Sequence, residues 1–267
     1  MKLKISVLLT ILVSISVNVF GQKPPIKTPD VPNKPADVTK LEITKNKAKT
    51  PTVKEILAKY VQAIGGRANY EKIKSRMTKA TQDVPTAGIK GTIEIYAAAP
   101  NKSFTKAVIG GIGEFFEGFD GKNAWSINPL QGSRDKSGEE LVQTKLRYDF
   151  YRDINLDKLY PKIELKGTEK VGANEAYVLI ATPDNLPSET FYFDTKSGLL
   201  IRQDITATSP EGKTPSKNFF EDMREIDGVK IPFRMRTILP QFEVVTTLTE
   251  VKNNIVVEDA KFTKPKI

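Results

Sequence analysis

Between positions 77 and 251 the apolar residues recur mostly at every second position, and that period limits what this chain can fold into. Ile89, Gly91, Ile93 and Ile95 alternate with Lys90, Thr92, Glu94 and Tyr96. Residues two apart share a face of an extended strand, so a run of this kind reads as a strand with one buried face. Similar runs lie at 104–109, 114–119, 124–127, 163–170, 176–181, 190–193, 199–206, 218–226, 231–239 and 242–251. Turn residues separate nearly all of them: Asp120-Gly121, Lys196-Ser197-Gly198, Asp227-Gly228, Leu239-Pro240 and Asn253-Asn254. The pattern is a long antiparallel meander of about a dozen strands in one sheet. A single sheet of that length must curl, and its concave face must then be filled or covered.

Two helical segments are available as covers. Thr52 and Glu55 have the spacing of a capping box, and Val53, Ile56, Leu57, Tyr60, Val61 and Ile64 follow as one apolar stripe. Gly65-Gly66 supplies the stop. A second helical stretch spans roughly 139–160, with Val142, Leu146 and Phe150 on one face. In the apolar phase of their strands stand Ile93, Ile95, Phe104, Trp125, Phe191, Phe193, Phe233 and Met235, the candidates for lining the concave face. Each of them is also an ordinary core residue in a filled sheet.

The 267 residues include neither cysteine nor histidine. Disulfides, thiol nucleophiles, thiolate metal sites and covalent haem are therefore excluded, as are histidine bases and histidine-ligated metals. The remaining catalytic look-alikes fail on their surroundings. Ser103-Phe104-Thr105-Lys106 has Ser-x-x-Lys spacing without its partner motifs, and it lies in a strand. Gly212-Lys213-Thr214 lacks the glycine a phosphate loop needs at Ala207, and its prolines indicate a plain hairpin loop. Gly111-Ile112-Gly113 meets Phe116 where a dinucleotide fingerprint needs glycine. The adjacent pairs Glu221-Asp222 and Glu258-Asp259 point to opposite faces of a strand, and the two carboxylates a glycosidase needs across a cleft would have to come from distant strands. The chain is expected to be no enzyme and to carry no cofactor or metal. The net charge of +9 accompanies no basic cluster interleaved with aromatics, which argues against a nucleic-acid partner.

The N-terminus has the form of an export signal. Lys2 and Lys4 precede an apolar run, Ile5 to Val17, and Val19-Phe20-Gly21 offers a cleavage site. The run is short and interrupted by Ser14, Ser16 and Asn18, so peripheral rather than integral membrane contact is expected. Cleavage after Gly21 removes two lysines and no acid, taking the net charge from +9 to +7. No cysteine follows the site, which excludes a lipid-modified N-terminus, and an exported chain without cysteine suits a bacterial periplasm. The expected organisation is a signal peptide at 1–21, a disordered Pro/Lys-rich tether at 22–50 and one folded domain at 51–267.

Within that domain, Gly91 to Phe104, including Ala97-Ala98-Ala99-Pro100-Asn101, resembles a stretch of the periplasmic outer-membrane lipoprotein carriers of the LolA/LolB type. The hairpin from Gly118 to Pro129, with Asp120-Gly121-Lys122 and Trp125, is similar to theirs, as is Asp259-Ala260-Lys261-Phe262-Thr263. Phe191-Tyr192-Phe193-Asp194, followed by Gly198-Leu199-Leu200, and Val229-Lys230-Ile231-Pro232-Phe233 fit hairpins of related exported proteins. The resemblance implies an α+β, mainly β fold: a strongly curved, unclosed antiparallel half-barrel of about 11–12 strands, with helices covering the concave face. It implies a periplasmic protein of envelope biogenesis holding the acyl chain of a lipoprotein or lipid, or another apolar ligand. The carriers place an arginine before their Pro-Asn pair where this chain has Ala99, which points to a divergent relative without that handover switch. The alternative is an exported accessory or sensor module that binds an envelope protein and no small molecule.

Overall fold

The computed structural model describes residues 50–265; the expected signal peptide and the expected tether up to residue 49 lie outside the described residues. The capping box forms: Glu55 N donates to Thr52 Oγ1 (3.2 Å) and Thr52 N donates to the Glu55 carboxylate (2.7 Å). It opens helix α1 (Val53–Ala63), which is followed by α2 (Arg67–Lys72). Between them Gly65 takes φ +115°, and a β-carbon there would lie 2.2 Å from the Gly228 carbonyl oxygen. Glycine therefore lets the end of α1 sit on a strand hairpin, where Lys230 N donates to Ile64 O (2.8 Å).

Six strands follow: β1 (Ser75–Val84), β2 (Ile89–Ala98), β3 (Lys102–Ile109), β4 (Gly113–Phe119), β5 (Ala124–Asn128) and β6 (Gly132–Asp135). Helix α3 (Gly138–Arg147), a 3₁₀ turn (Arg152–Ile154) and the short α4 (Leu156–Leu159) come next. Seven more strands complete the sheet: β7 (Lys162–Val171), β8 (Asn174–Thr182), β9 (Glu189–Asp194), β10 (Leu200–Ser209), β11 (Gly212–Ile226), β12 (Val229–Ile238) and β13 (Glu243–Asn253). A 3₁₀ turn, Asp259–Phe262, follows them.

All thirteen strands form one antiparallel sheet in the order β6-β5-β4-β3-β2-β1-β13-β12-β11-β10-β9-β8-β7. The end strands β6 and β7 do not pair, so the sheet is not closed into a barrel. The strand beyond the expected dozen is β6, Gly-Ser-Arg-Asp, which has no apolar phase to betray it. It folds onto β5 because Asn128 Oδ1 accepts from Leu130 N (3.0 Å) and Gln131 N (2.8 Å) and sets the turn. The expected loop at Gly212-Lys213-Thr214 is instead the start of β11. Ser209 pairs with Gly212, and only Pro210 and Glu211 make the turn.

One helix shows how far the sheet curls. On α3, Glu140 binds the Arg134 guanidinium of β6 (2.7 and 2.8 Å). One turn later Gln143 donates to Thr206 O (2.7 Å) and accepts from Thr208 N (2.9 Å), both on β10. Nine steps separate β6 from β10 in the sheet order, about 43 Å if the sheet were flat. Two side chains three residues apart on a helix span both strands only if the sheet bends round to meet them.

The face toward the helices, here the inner face, carries one continuous core. Ile93, Ala107, Phe115, Leu179, Phe191, Phe193, Phe220, Phe233 and Met235 share it with Ile56, Leu57, Tyr60 and Ile64 of α1 and with Ile154, Leu156 and Tyr160. Ile95 is partly buried against the same core. The expectation for Phe104 and Trp125 is corrected. Phe104 pairs with Tyr96 and with Gly118, and Gly118 pairs with Trp125, which places these residues on the face opposite Ile93 and Ile95. In β3 the inner phase is held by Ser103, Thr105 and Ala107, so aromatic character misleads there about direction.

What buries Trp125 is the C-terminal 3₁₀ turn. Its indole Nε1 donates to Phe262 O (3.1 Å), Phe262 is only 1% exposed, and Lys261 Nζ lies 4.5 Å from the Tyr96 ring and 4.6 Å from the Phe104 ring. Trp125 is the sole indole in the chain. Ending the chain after Glu258 is therefore expected to move its emission to the red and to raise its quenching by iodide. An unchanged spectrum would mean that the turn does not cover this ring in solution.

Candidate functional site

One flank of α1 presents Val53, Leu57, Ala58 and Val61. Opposite it stand Ile154, Leu156, Tyr160, Pro161 and Ile163, from the 3₁₀ turn, α4 and the start of β7. Between the two walls runs a groove of about 620 Å³, within the size range of small-molecule sites. Its walls are mainly apolar, and Lys54, Gln62, Arg67, Asp153 and Asp157 supply the polar groups. At the α2 end the groove is bridged, since Arg67 donates to Asn155 Oδ1 (2.9 Å) and to the Ile154 carbonyl.

The walls are fixed from below. Tyr60 packs on Phe193 with ring centroids 5.0 Å apart, and Tyr160 meets Phe191 edge-on at 5.5 Å. The Tyr160 hydroxyl accepts from Arg152 (2.6 Å) and donates to Glu189 (2.8 Å), and Gln203 Nε2 donates to the same carboxylate (2.6 Å). These bonds hold α4 to β9 and β10 and stop Tyr160 from rotating into the groove. Burial, then the nearby Asp153, pushes the Tyr60 phenol well above its ordinary range. Burial likewise raises the Asp153 carboxyl, against the pull of Arg152 and Arg76. For Arg152, burial alone would lower the pKa, and Tyr160, Glu189 and Asp153 more than reverse it.

None of the eight candidate residues lines this groove. Phe191 and Phe193 form the layer beneath its tyrosines, while Ile93, Ile95, Phe233 and Met235 lie elsewhere in the inner-face core. The apolar stripe of α1 did signal Leu57 and Val61, although as core. Nothing periodic marks Ile154, Leu156 and Tyr160, which sit on a 3₁₀ turn and a four-residue helix. A glycosidase-like reading needs two carboxylates across a cleft. The two acids of this groove are Asp153 and Asp157, and Asp157 is exposed. Among the described residues, no group of Asp and Glu could hold a metal ion, and no helix is long and apolar enough to cross a membrane.

No protein-family model and no curated protein sequence matches this chain. Solved structures do. A DUF1329 family protein from Desulfovibrio piger superposes with a TM-score of 0.54 at 17% identity, over 80% of this chain and 98% of that one. A LolA superfamily protein from Nitrosomonas europaea gives 0.54 at 14% identity, over 80% and 99%. A domain assigned to outer-membrane lipoprotein sorting, from Vibrio parahaemolyticus, gives 0.51 at 11% identity, over 78% and 94%. At these identities the likeness is one of fold: the divergent LolA-like architecture implied by the sequence is present.

Proposed function

We propose that this chain, which has the fold of the LolA superfamily, is an exported envelope protein that holds an acyl chain or another apolar ligand in the groove between α1 and α4. The observation that carries the reading is the groove itself: about 620 Å³, walled by Val53, Leu57, Val61, Leu156 and Ile163, and seated on a rigid aromatic layer. An apolar chain laid there removes its own surface and that of both walls from water, worth about 0.8 kcal/mol per buried methylene. The superposition on a lipoprotein-sorting domain supports an acyl group of a lipoprotein or lipid as the occupant. Export follows from the N-terminal pattern, and mass spectrometry of the mature protein is expected to find Gln22 first.

Ala58 is exposed on the groove wall, so Ala58→Trp fills the space without touching the core. A fluorescent fatty-acyl probe is expected to bind the mature protein and to bind Ala58→Trp at least about tenfold more weakly, at unchanged melting temperature. Val61→Lys should act in the same direction. If the probe binds the native chain no better than it binds an unrelated basic protein of similar size, the ligand reading fails. The groove then belongs to a module that engages an envelope protein.

A further inference from the structure

The outer face of the sheet carries a second cavity, of about 550 Å³, where β9, β10 and β11 meet the Leu239-Pro240 turn. Two adjacent cross-strand rows contribute residues to it. Tyr192, Arg202, Phe219 and Arg236 stand directly opposite one another on β9, β10, β11 and β12, and Thr190, Asp204, Lys217 and Ile238 form the next row. The Arg202 guanidinium lies 4.4 Å from the Tyr192 ring centroid and 5.6 Å from that of Phe219, and Nε and one terminal nitrogen grip Asp204. That grip and the two rings fix the fork in place, and Asp204 is neutralised by it.

What remains is a set of donors with no protein acceptor among the described residues. The second terminal nitrogen of Arg202, Nη1, is unused, and so is the ammonium of Lys217, its diagonal neighbour on β11. The hydroxyls of Thr190 and Thr206 are equally unpaired, and all four residues line the cavity. One immobilised guanidinium edge, one point charge and two hydroxyls outnumber the two oxygens of a carboxylate and suit an oxyanion with three. Phe219, Leu239 and Pro240 offer an apolar wall beside them.

We propose that this outer-face cavity is a phosphate-binding site, taking a phosphate group at Arg202 and Lys217 with its organic part against Phe219 and Pro240. The phosphate comes from a lipid headgroup or from a free phosphorylated solute, and the two are separable. The mature protein is titrated with inorganic phosphate by calorimetry at low salt. In a parallel arm it is co-sedimented with phosphatidylglycerol-containing and with pure phosphatidylcholine vesicles. Lys217→Gln removes an exposed charge and is expected to weaken binding about tenfold. Lys122→Gln, on a distant turn, and Ala58→Trp, in the helix groove, should leave it unchanged. Binding of phosphate alone assigns a solute, and binding of the anionic vesicles alone assigns a headgroup; both uphold the site. Absence of saturable binding in both arms overturns it, as does an equal loss in Lys217→Gln and Lys122→Gln. The cavity shares no residue with the α1–α4 groove, so either proposal can fail without the other.

Discussion

Phe193→Ala is expected to lower folding stability by about 3–5 kcal/mol, the usual loss for deleting a buried phenyl ring. Phe193 is 1% exposed, meets Tyr60 of α1 at 5.0 Å and stacks on Phe191 at 6.2 Å with an interplanar angle of 9°. Removing the ring opens a void at the point where the helix layer rests on the sheet, and Tyr60 cannot sink into it while Gly65 pins the end of α1 to the β11–β12 hairpin. Since whole domains are stable by only about 5–15 kcal/mol, the variant should unfold at clearly lower urea concentration with a similar slope. It should also bind the acyl probe weakly, because the same ring supports the groove wall. A loss below about 1 kcal/mol would show that the helices do not lean on this ring.

Lys136→Met is expected to be as damaging, by about 3–5 kcal/mol, for a different reason. The Lys136 side chain is 3% exposed and that of its partner Glu117 is 7% exposed, with the Tyr148 hydroxyl donating to the same carboxylate (3.1 Å). Losing the lysine strands a carboxylate inside the protein. The double variant Lys136→Met/Glu117→Leu should recover most of the loss, since the pair itself roughly balances its desolvation. Burial alone would raise the Glu117 pKa, but Lys136, with help from Arg147 and Tyr148, brings it below the ordinary carboxylate range. A carboxylate depressed in the folded state contributes stability above its unfolded pKa, and that stability disappears as the pH falls through the folded value. The native protein should therefore lose stability in acid more steeply than the double variant. Parallel acid profiles would remove Glu117 from the account.

Much of the fold was legible because its signals are local. Thr52 and Glu55 announce α1, Gly65-Gly66 ends it, and the alternation from Ile89 to Ile95 gives β2 its faces. Twelve of the thirteen strands carry such an apolar phase, and β6 does not. The site was far less legible. A period of two states which residues share a face but not which face is inward, and Phe104 and Trp125 show how an aromatic phase can be the outer one when a C-terminal turn covers it. The groove walls come from α1, a 3₁₀ turn, α4 and β7, and their meeting depends on the curl of a sheet whose curvature no short window encodes. The donors of the outer cavity were hidden similarly. Arg202 and Lys217 look like ordinary strand charges until the register makes them diagonal neighbours.

The seam between β1 and β13 lies in the middle of the sheet rather than at an edge. It joins Arg76 to Asn253, 177 positions apart, by a hydrogen bond of 2.7 Å, and brings Asn254 N to Ser75 O at 2.8 Å. The two ends of the sheet-forming chain therefore emerge side by side, while the turn at Gly172-Ala173 sits on the outermost hairpin, β7–β8. A circular permutant that links the ends and opens the chain at that turn would keep every strand pairing. It would also make the seam local and pass the largest loop closure to the edge pair, β7 with β8. In the natural order that closure joins the two halves of the sheet at its centre, whereas in the permutant it only adds β7 at an edge. The other twelve strands should therefore assemble before it, and the closure should appear as a separate, late step in refolding.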